Sequence, residues 1–121
     1  ELDPENVDAL NALGYTLADQ TDRYQEAAAY INKAYALRPD EPAILDSMGW
    51  LQYRLGNYQE ALGYLEQAMD RMPDSEIAAH LGEVLWVTGD RRRALKVWND
   101  MLKKDPESRH VRETKKRLTG N

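Results

Sequence analysis

The chain of 121 residues contains no cysteine, so it forms no disulfide and offers no thiolate to a metal. This absence leaves the compartment open, because a reducing cytoplasm and an oxidising periplasm both accept such a chain. No apolar run approaches the roughly 18 residues that a membrane span requires. The chain begins at Glu1 rather than at Met, so we expect a fragment or a processed form whose targeting information is missing.

The composition indicates one modest globular domain with an uneven distribution of charge. Charged residues make up 31% of the chain and hydrophobic residues 42%, which is typical of a globular protein in water. The formal net charge is −5, but 11 of the 16 Lys and Arg residues lie in residues 88–121. An acidic body is therefore followed by a basic C-terminal end.

A pattern of small and apolar residues recurs three times in register. A glycine is followed after twelve or thirteen residues by an alanine, then after four more by a large apolar residue, and then by a proline. The recurring residues are Gly14, Gly49 and Gly82; Ala27, Ala61 and Ala94; Ile31, Leu65 and Trp98; and Pro39, Pro73 and Pro106. The three prolines are 34 and 33 residues apart, which predicts an array of equal structural units.

This pattern resembles the tetratricopeptide repeat (TPR), a helix–turn–helix unit of about 34 residues. The resemblance covers residues 7–108 in three copies, at about 7–41, 42–74 and 75–108, and Leu2–Pro4 match the end of a preceding repeat. The departures are an extra residue in the first turn and Gln52 in place of a bulky residue. The resemblance implies an all-α fold, in which a right-handed superhelical array of antiparallel helix pairs ends in a C-terminal capping helix. We expect residues 1–121 to form a single TPR domain within a longer array.

Seven helices are predicted, at about 7–19, 24–37, 41–55, 58–71, 75–88, 90–104 and 107–118. Gly56 and Gly89 should end the first helix of a pair in the left-handed conformation. Gly49 and its counterparts should lie where the paired helices approach most closely, whereas Gly63 has no counterpart and is expected on the surface. The last helix has a thin apolar stripe around Val111 and Leu118, which fits a cap and a docking surface equally well.

Positions on the first helix of each TPR repeat usually line a groove, and the resemblance carries these positions onto this chain. The predicted partner-binding residues are Asp8, Asn11, Tyr15, Asp46, Trp50, Tyr53, Glu76, His80, Glu83 and Trp86. They form an aromatic ladder with an acidic rim, which favours a peptide or partner helix that carries basic groups. Trp50 is expected to turn into the groove. The alternative is that the aromatic residues only pack between adjacent repeats.

One TPR subclass holds acidic C-terminal tails with lysine, asparagine and arginine in this groove. Those positions are occupied here by Asn11, Tyr15, Ser47, Glu76 and His80, so none of them matches the clamp. This chain is therefore not expected to bind an acidic tail in that way.

The sequence predicts no enzyme and no cofactor. Glu76, His80 and Glu83 share one helical face and include metal-ligand types, but a polar groove wall is the favoured interpretation, and no metal site is predicted. No nucleophile–base arrangement or Gly-rich phosphate loop occurs. The basic C-terminal end lacks interleaved aromatic residues and contains acidic ones, so solvated helix faces or docking to an acidic surface are favoured over nucleic-acid binding.

The leading hypothesis is a protein-interaction scaffold or adaptor. The stretches 43–69 and 76–86 also resemble the C-terminal repeats of long bacterial TPR proteins, some of which are outer-membrane lipoproteins that serve as adaptors for a periplasmic processing protease. That resemblance implies a periplasmic scaffold without direct membrane contact from this segment; without it, a cytoplasmic location is expected. The alternative is a structural segment that stacks within a longer array or self-associates head to tail, with no ligand of its own.

Overall fold

The computed structural model describes residues 6–121, which form seven α-helices joined by short turns. The helices are α1 Val7–Gln20, α2 Tyr24–Leu37, α3 Pro42–Arg54, α4 Tyr58–Arg71, α5 Ser75–Val87, α6 Arg91–Lys104 and α7 Arg109–Thr119. Each agrees with its predicted range to within two residues at either end. Leu2–Pro4, which were matched to a preceding repeat, lie outside the described residues. None of the described helices is both long and apolar enough to cross a membrane.

Side chains at the helix starts explain why these helices begin where they do. The side-chain Oδ1 of Asn6 accepts a hydrogen bond from the Ala9 amide at 3.0 Å, and Oδ1 of Asp74 accepts one from the Ile77 amide at 3.0 Å. Ser108 caps α7 in this way, and Pro42 occupies the first turn of α3, where its missing N–H costs nothing.

Two glycines end the first helices of repeats two and three. Gly56 has a φ of +86° and Gly89 a φ of +99°, which is the left-handed region that other residues avoid. The prediction for these positions is confirmed. The turn after α1 has three residues, as do the turns after α3 and α5, so the extra residue predicted for the first turn lies instead in α1, which has 14 residues where α3 and α5 have 13. No non-glycine residue of the described chain adopts positive φ, so this turn is made without the left-handed conformation.

The recurrent glycines lie at the closest approach of the paired helices, as predicted. A Cβ atom added to Gly49 would lie 2.7 Å from Leu65 Cγ and 3.1 Å from the Ala61 carbonyl oxygen. Gly14 and Gly82 meet the corresponding side chains of α2 and α6 in the same way. Close packing across this contact offsets the low helix propensity of glycine.

The helices form two layers. One layer contains the first helix of each repeat and α7, which contact one another in the order α1, α3, α5, α7. The second helices form the other layer, and α2 also packs on α3 and α4 on α5, which joins each repeat to the next. Among the described residues, the second helices α2, α4 and α6 do not pack against one another in this way. The layer of first helices is therefore the compact one. We call its surface that faces away from α2, α4 and α6 the inner face.

Small residues mediate the stacking of one repeat on the next. Ala34 is fully buried in a cluster with Ile44, and Ala68 in a cluster with Ile77. At the third equivalent position, the bulkier Met101 lies in the same cluster as Val111 of α7. α7 packs on α5 and α6, so its thin apolar stripe is used for packing.

Two glycine substitutions test this packing. Gly49→Ala should lower the free energy of unfolding by about 1–3 kcal/mol, because the new methyl group overlaps Leu65. Gly63→Ala should raise it by roughly 0.5–1 kcal/mol, because nothing lies within 4 Å of the added Cβ and alanine favours the helix. Urea denaturation measures both. Equal effects of the same sign would contradict the assignment of Gly49 to a close contact.

Candidate functional site

Eight of the ten predicted site residues are brought together on the inner face. Direct contacts or a shared pocket connect Asn11, Tyr15, Asp46, Trp50, Tyr53, Glu76, His80 and Glu83. The other two lie apart from this group. Asp8 is exposed and lies 3.6 Å from the Arg38 guanidinium, and Trp86 packs on Trp98 under the Arg91 guanidinium, whose carbon is 4.5 Å from the Trp86 ring centre.

His80 joins three repeats at one imidazole ring. Its Nδ1 lies 2.8 Å from Asp46 Oδ1 on α3, and its Nε2 lies 3.2 Å from the Tyr15 hydroxyl on α1. The Trp50 indole stacks on the imidazole, with the ring centres 4.0 Å apart and the planes at 23°. Tyr15 and His80 are 65 residues apart, so this contact spans the second repeat entirely. In a repeat array most contacts join only neighbouring units, which makes this bridge an exception.

The surrounding charges favour the protonated form of His80. Burial is the largest single influence and by itself would lower the pKa of this imidazole, but the charge of Asp46, its hydrogen bond to the ring and the charges of Glu76 and Glu83 together outweigh burial. The pKa of His80 is therefore raised above the usual 6.5. Burial, followed by the charges of Asp19, Glu76 and Asp46, raises the pKa of the Tyr15 phenol, so the phenol keeps its proton.

The sequence analysis expected Trp50 to turn into an open groove, but the structure places its side chain inside the packed layer. Only 5% of its surface is exposed, because the His80 ring covers one face and Tyr53 lies 4.9 Å away, centre to centre. Its indole nitrogen donates a hydrogen bond to Asp19 Oδ1 at 3.0 Å. For Trp50, the structure therefore agrees with the alternative that the aromatic residues pack between adjacent repeats. Its ring is held there by stacking on His80 and by the hydrogen bond that its N–H donates.

Besides the contacts around His80, the inner face contains a second group of polar contacts, which is centred on the buried Glu83 side chain. The Tyr53 hydroxyl donates to Glu83 Oε2 at 2.9 Å, and the Arg117 guanidinium donates to Glu83 Oε1. The pKa of Tyr53 is raised by burial and by the Glu83 charge. Glu83 therefore has both a donor and a counter-charge, as a buried carboxylate requires.

Two contributors, Asp19 and Arg117, were missed by the sequence analysis. Arg117 follows Glu83 by 34 residues, which is the spacing that also separates Asp46 from His80. Extending the repeat register by one more unit into α7 would have placed Arg117 at the position of Glu83. Asp19 lies one turn after Tyr15 on α1, so the helical period would have placed both side chains on one face.

A pocket of about 200 Å³ opens where α1, α3 and α5 converge. Asn11 and Tyr15 of α1, Asp46 of α3 and Glu76 of α5 contribute polar groups to its wall. The Asn11 side-chain oxygen is shielded from solvent and has no hydrogen-bond partner among the described residues. An acceptor of this kind costs about 1–3 kcal/mol unless a donor reaches it.

The residues whose side chains could bind a metal are not the set that shares one helical face in the sequence, because Asp46 takes the place of Glu83 beside Glu76 and His80. Side-chain ligand atoms of Asp46, Glu76 and His80 lie within 4.8 Å of one another. Glu83 is directed instead to Tyr53 and Arg117. Both ring nitrogens of His80 have hydrogen-bond partners, so this group is arranged as a hydrogen-bonded network around the imidazole.

The basic C-terminal end makes many ion pairs on exposed helix faces. Examples are Lys96 with Asp100 at 2.8 Å and Arg109 with Glu113 at 3.2 Å, both one helical turn apart. Exposed pairs of this kind contribute little to stability. They nevertheless reduce the positive field that an isolated basic helix would present.

The raised pKa of His80 predicts a pH-dependent stability. A raised folded-state pKa gives stability that is present below 6.5 and is lost as the pH rises through the folded-state value. The excess stability of the wild type over His80→Gln should therefore be largest below pH 6.5 and shrink as the pH rises above that value. The matched control is His110→Gln at the exposed second histidine, which should parallel the wild type. Urea midpoints on both sides of pH 6.5 measure the effect, and an excess that is independent of pH would contradict it.

The burial of Trp50 predicts that its loss is mainly a structural defect. Trp50→Ala should lower the free energy of unfolding by about 3–5 kcal/mol, whereas Trp86→Ala should cost clearly less because Trp86 is only partly buried. Chemical denaturation of the two variants measures the difference. Equal losses would show that the stacked position of Trp50 has no special weight.

Comparisons with known proteins agree with this architecture. The family described as tetratricopeptide repeat matches residues 16–86. A curated TPR repeat-containing protein of Pseudomonas aeruginosa is 63% identical over 81 residues, which are 67% of this chain but only 14% of that protein. The chain is thus similar to a small part of a much longer relative.

Two solved structures share the fold at low sequence identity. A thermophilic TPR protein of Thermus thermophilus superimposes with a TM-score of 0.78 and 21% identity, covering 90% of this chain and 61% of that chain. A mutant of MamA gives a TM-score of 0.64 and 20% identity, covering 92% of this chain and 74% of that chain. These structures show the shared fold, and the family match over more than half of the chain shows that it belongs to the tetratricopeptide repeat family.

Proposed function

We propose that this chain is a protein-interaction module that holds an extended peptide or a partner helix against the inner face of α1, α3 and α5. TPR proteins generally act as non-enzymatic scaffolds for protein–protein interaction, which supports this class of function. The observation that carries the proposal is the pocket of about 200 Å³ at the convergence of these three helices. Pockets with a few convergent polar groups are common ligand sites.

The hydrogen-bonded network beneath the pocket supports the proposal because it fixes the pocket wall before a partner arrives. Asp46 is held by His80, and Tyr15 is held by the same imidazole. A wall that is already ordered loses little conformational entropy on binding, which strengthens a complex.

The two halves of the inner face differ in charge and in access. Near α7, Glu83 is neutralised by Arg117 and covered by Tyr53. Near α1, no Lys or Arg of residues 6–121 forms an ion pair with Asp46 or Glu76. We therefore place the partner contacts at the α1 end and regard the α7 end as a packed boundary.

A second candidate is a structural segment that only continues a longer array. The packing of α7 on α5 favours it, because α7 takes the position of a further first helix and contributes Arg117 to the inner face. The relative that extends far beyond the matched region is consistent with such an array. This candidate requires no ligand on the inner face, so a binding measurement separates the two.

Steric obstruction of the pocket tests the proposed function. Ala12 is exposed at the pocket edge, so Ala12→Trp should obstruct it without disturbing the network beneath. Peptides selected on the wild-type chain from a random displayed library should bind this variant at least about tenfold more weakly, which corresponds to about 1.4 kcal/mol. Fluorescence anisotropy with labelled peptides measures the affinity.

The matched control is Ala29→Trp, which places the same side chain at an exposed mid-helix position of α2. It should leave the affinity unchanged. Equal binding by the wild type and both variants would remove the inner face as the binding surface, and failure to select any peptide would favour the structural candidate.

A further inference from the structure

The pocket wall is rich in hydrogen-bond acceptors and carries negative charge. Asp46, Asp74 and Glu76 all line it, and none of the described lining residues is Lys or Arg. The only ion-pair partner of these three carboxylates within residues 6–121 is His80, which pairs with Asp46 from behind the wall. One imidazolium cannot balance three carboxylates, so the wall retains negative charge.

The hydroxyl groups near the pocket are already engaged. The Ser47 hydroxyl donates to the Ala43 carbonyl, and one oxygen of Asp74 accepts from the Ile77 amide at the start of α5. The Tyr15 hydroxyl lies 3.2 Å from His80 Nε2. No donor of the described residues reaches the shielded Asn11 oxygen. The pocket wall therefore lacks positive charge, and the unpartnered Asn11 oxygen shows, independently of the acidic residues, an acceptor that no described donor satisfies.

A divalent metal fits these observations less well than an organic cation. The His80 nitrogens face Asp46 and Tyr15, and the ring is fixed under Trp50, so it cannot present a lone pair to the pocket. With the imidazole excluded, only the Asp46 and Glu76 carboxylates of the metal-type group remain, which is fewer protein ligands than a dedicated calcium site provides. A cation with several N–H donors can bind acceptors at this spacing without a complete coordination sphere.

We propose that the pocket receives a basic side chain of the partner, with arginine bound more tightly than lysine. This inference rests on the proposed function and specifies the partner chemistry that the inner face selects. A guanidinium carries five donors in a plane, which suits the amide oxygen of Asn11 and the carboxylates of Asp46 and Glu76 better than the three donors of an ammonium. The Tyr15 ring in the wall offers a surface on which the guanidinium plane can stack.

The direct test uses small probes and the whole chain. N-acetyl-arginine amide, N-acetyl-lysine amide and N-acetyl-citrulline amide are titrated into the labelled chain and followed by ¹H–¹⁵N NMR. The arginine probe should shift the amide signals of residues that line the pocket and saturate, the lysine probe should bind more weakly, and the neutral citrulline probe should have no effect. Equal effects of arginine and citrulline, or no effect of any probe, would overturn the proposal.

Two variants link the binding to the pocket residues. Glu76→Gln should weaken the arginine probe roughly tenfold, since a charged acceptor is lost, whereas Glu60→Gln on the exposed face of α4 should not. Asn11→Leu removes the unpartnered acceptor, so it should keep the chain at least as stable while it weakens the probe. Unchanged probe affinity in both Glu76→Gln and Asn11→Leu would contradict the assignment.

The selected peptides separate this inference from the proposed function. If the peptides bind the inner face and lose at least about tenfold in affinity when their arginine is replaced by citrulline, both proposals are supported. If they bind the inner face but tolerate that replacement, the basic-side-chain inference is wrong and the proposed function survives. If no peptide binds but the arginine probe does, the pocket chemistry is supported and the proposed function is wrong.

Discussion

The hydrogen bond between His80 and Asp46 is the interaction on which the inner face depends. It joins α5 to α3, while the other nitrogen of the same ring reaches Tyr15 on α1. Trp50 covers the ring and excludes water from it. Without this hydrogen bond, Asp46 would be a buried carboxylate without a partner, and the indole would lose the surface on which it stacks. One imidazole therefore sets the positions of residues from three successive repeats.

The network also determines which part of the inner face is available to a partner. It uses the aromatic residues for cohesion between repeats, so they do not form the open ladder that their spacing suggested. What remains open is the pocket at the edge of the network, where Glu76 has no ion-pair partner and the shielded Asn11 oxygen has no donor among the described residues. At the other end, Arg117 satisfies Glu83 and closes the surface. In the proposed function, recognition therefore uses the open pocket above the His80 network, while the α7 end of the same face is closed by packing.

The fold could be predicted from the sequence because its determinants are local or periodic. Gly49 and Gly56 have fixed roles within a helix pair, and the 34-residue spacing transfers those roles from one copy to the next. The same register predicted the proximity of eight of the ten candidate residues, whose role in binding stays a prediction. It did not predict the burial of Trp50, because that burial depends on the His80 ring of the following repeat. Arg117 was missed because the register was not continued into a helix whose composition is mainly charged.

The protonation state of His80 tests the account most directly. Two-bond ¹H–¹⁵N NMR of the histidine side chains at pH 6.5, the usual pKa of histidine, identifies which ring nitrogens carry a proton. The account predicts that His80 is doubly protonated in most molecules, with its Nδ1 proton protected from exchange by Asp46 and the stacked indole. A neutral ring with one bare nitrogen, or an Nδ1 proton that exchanges freely with water, would contradict the central role of the His80–Asp46 interaction.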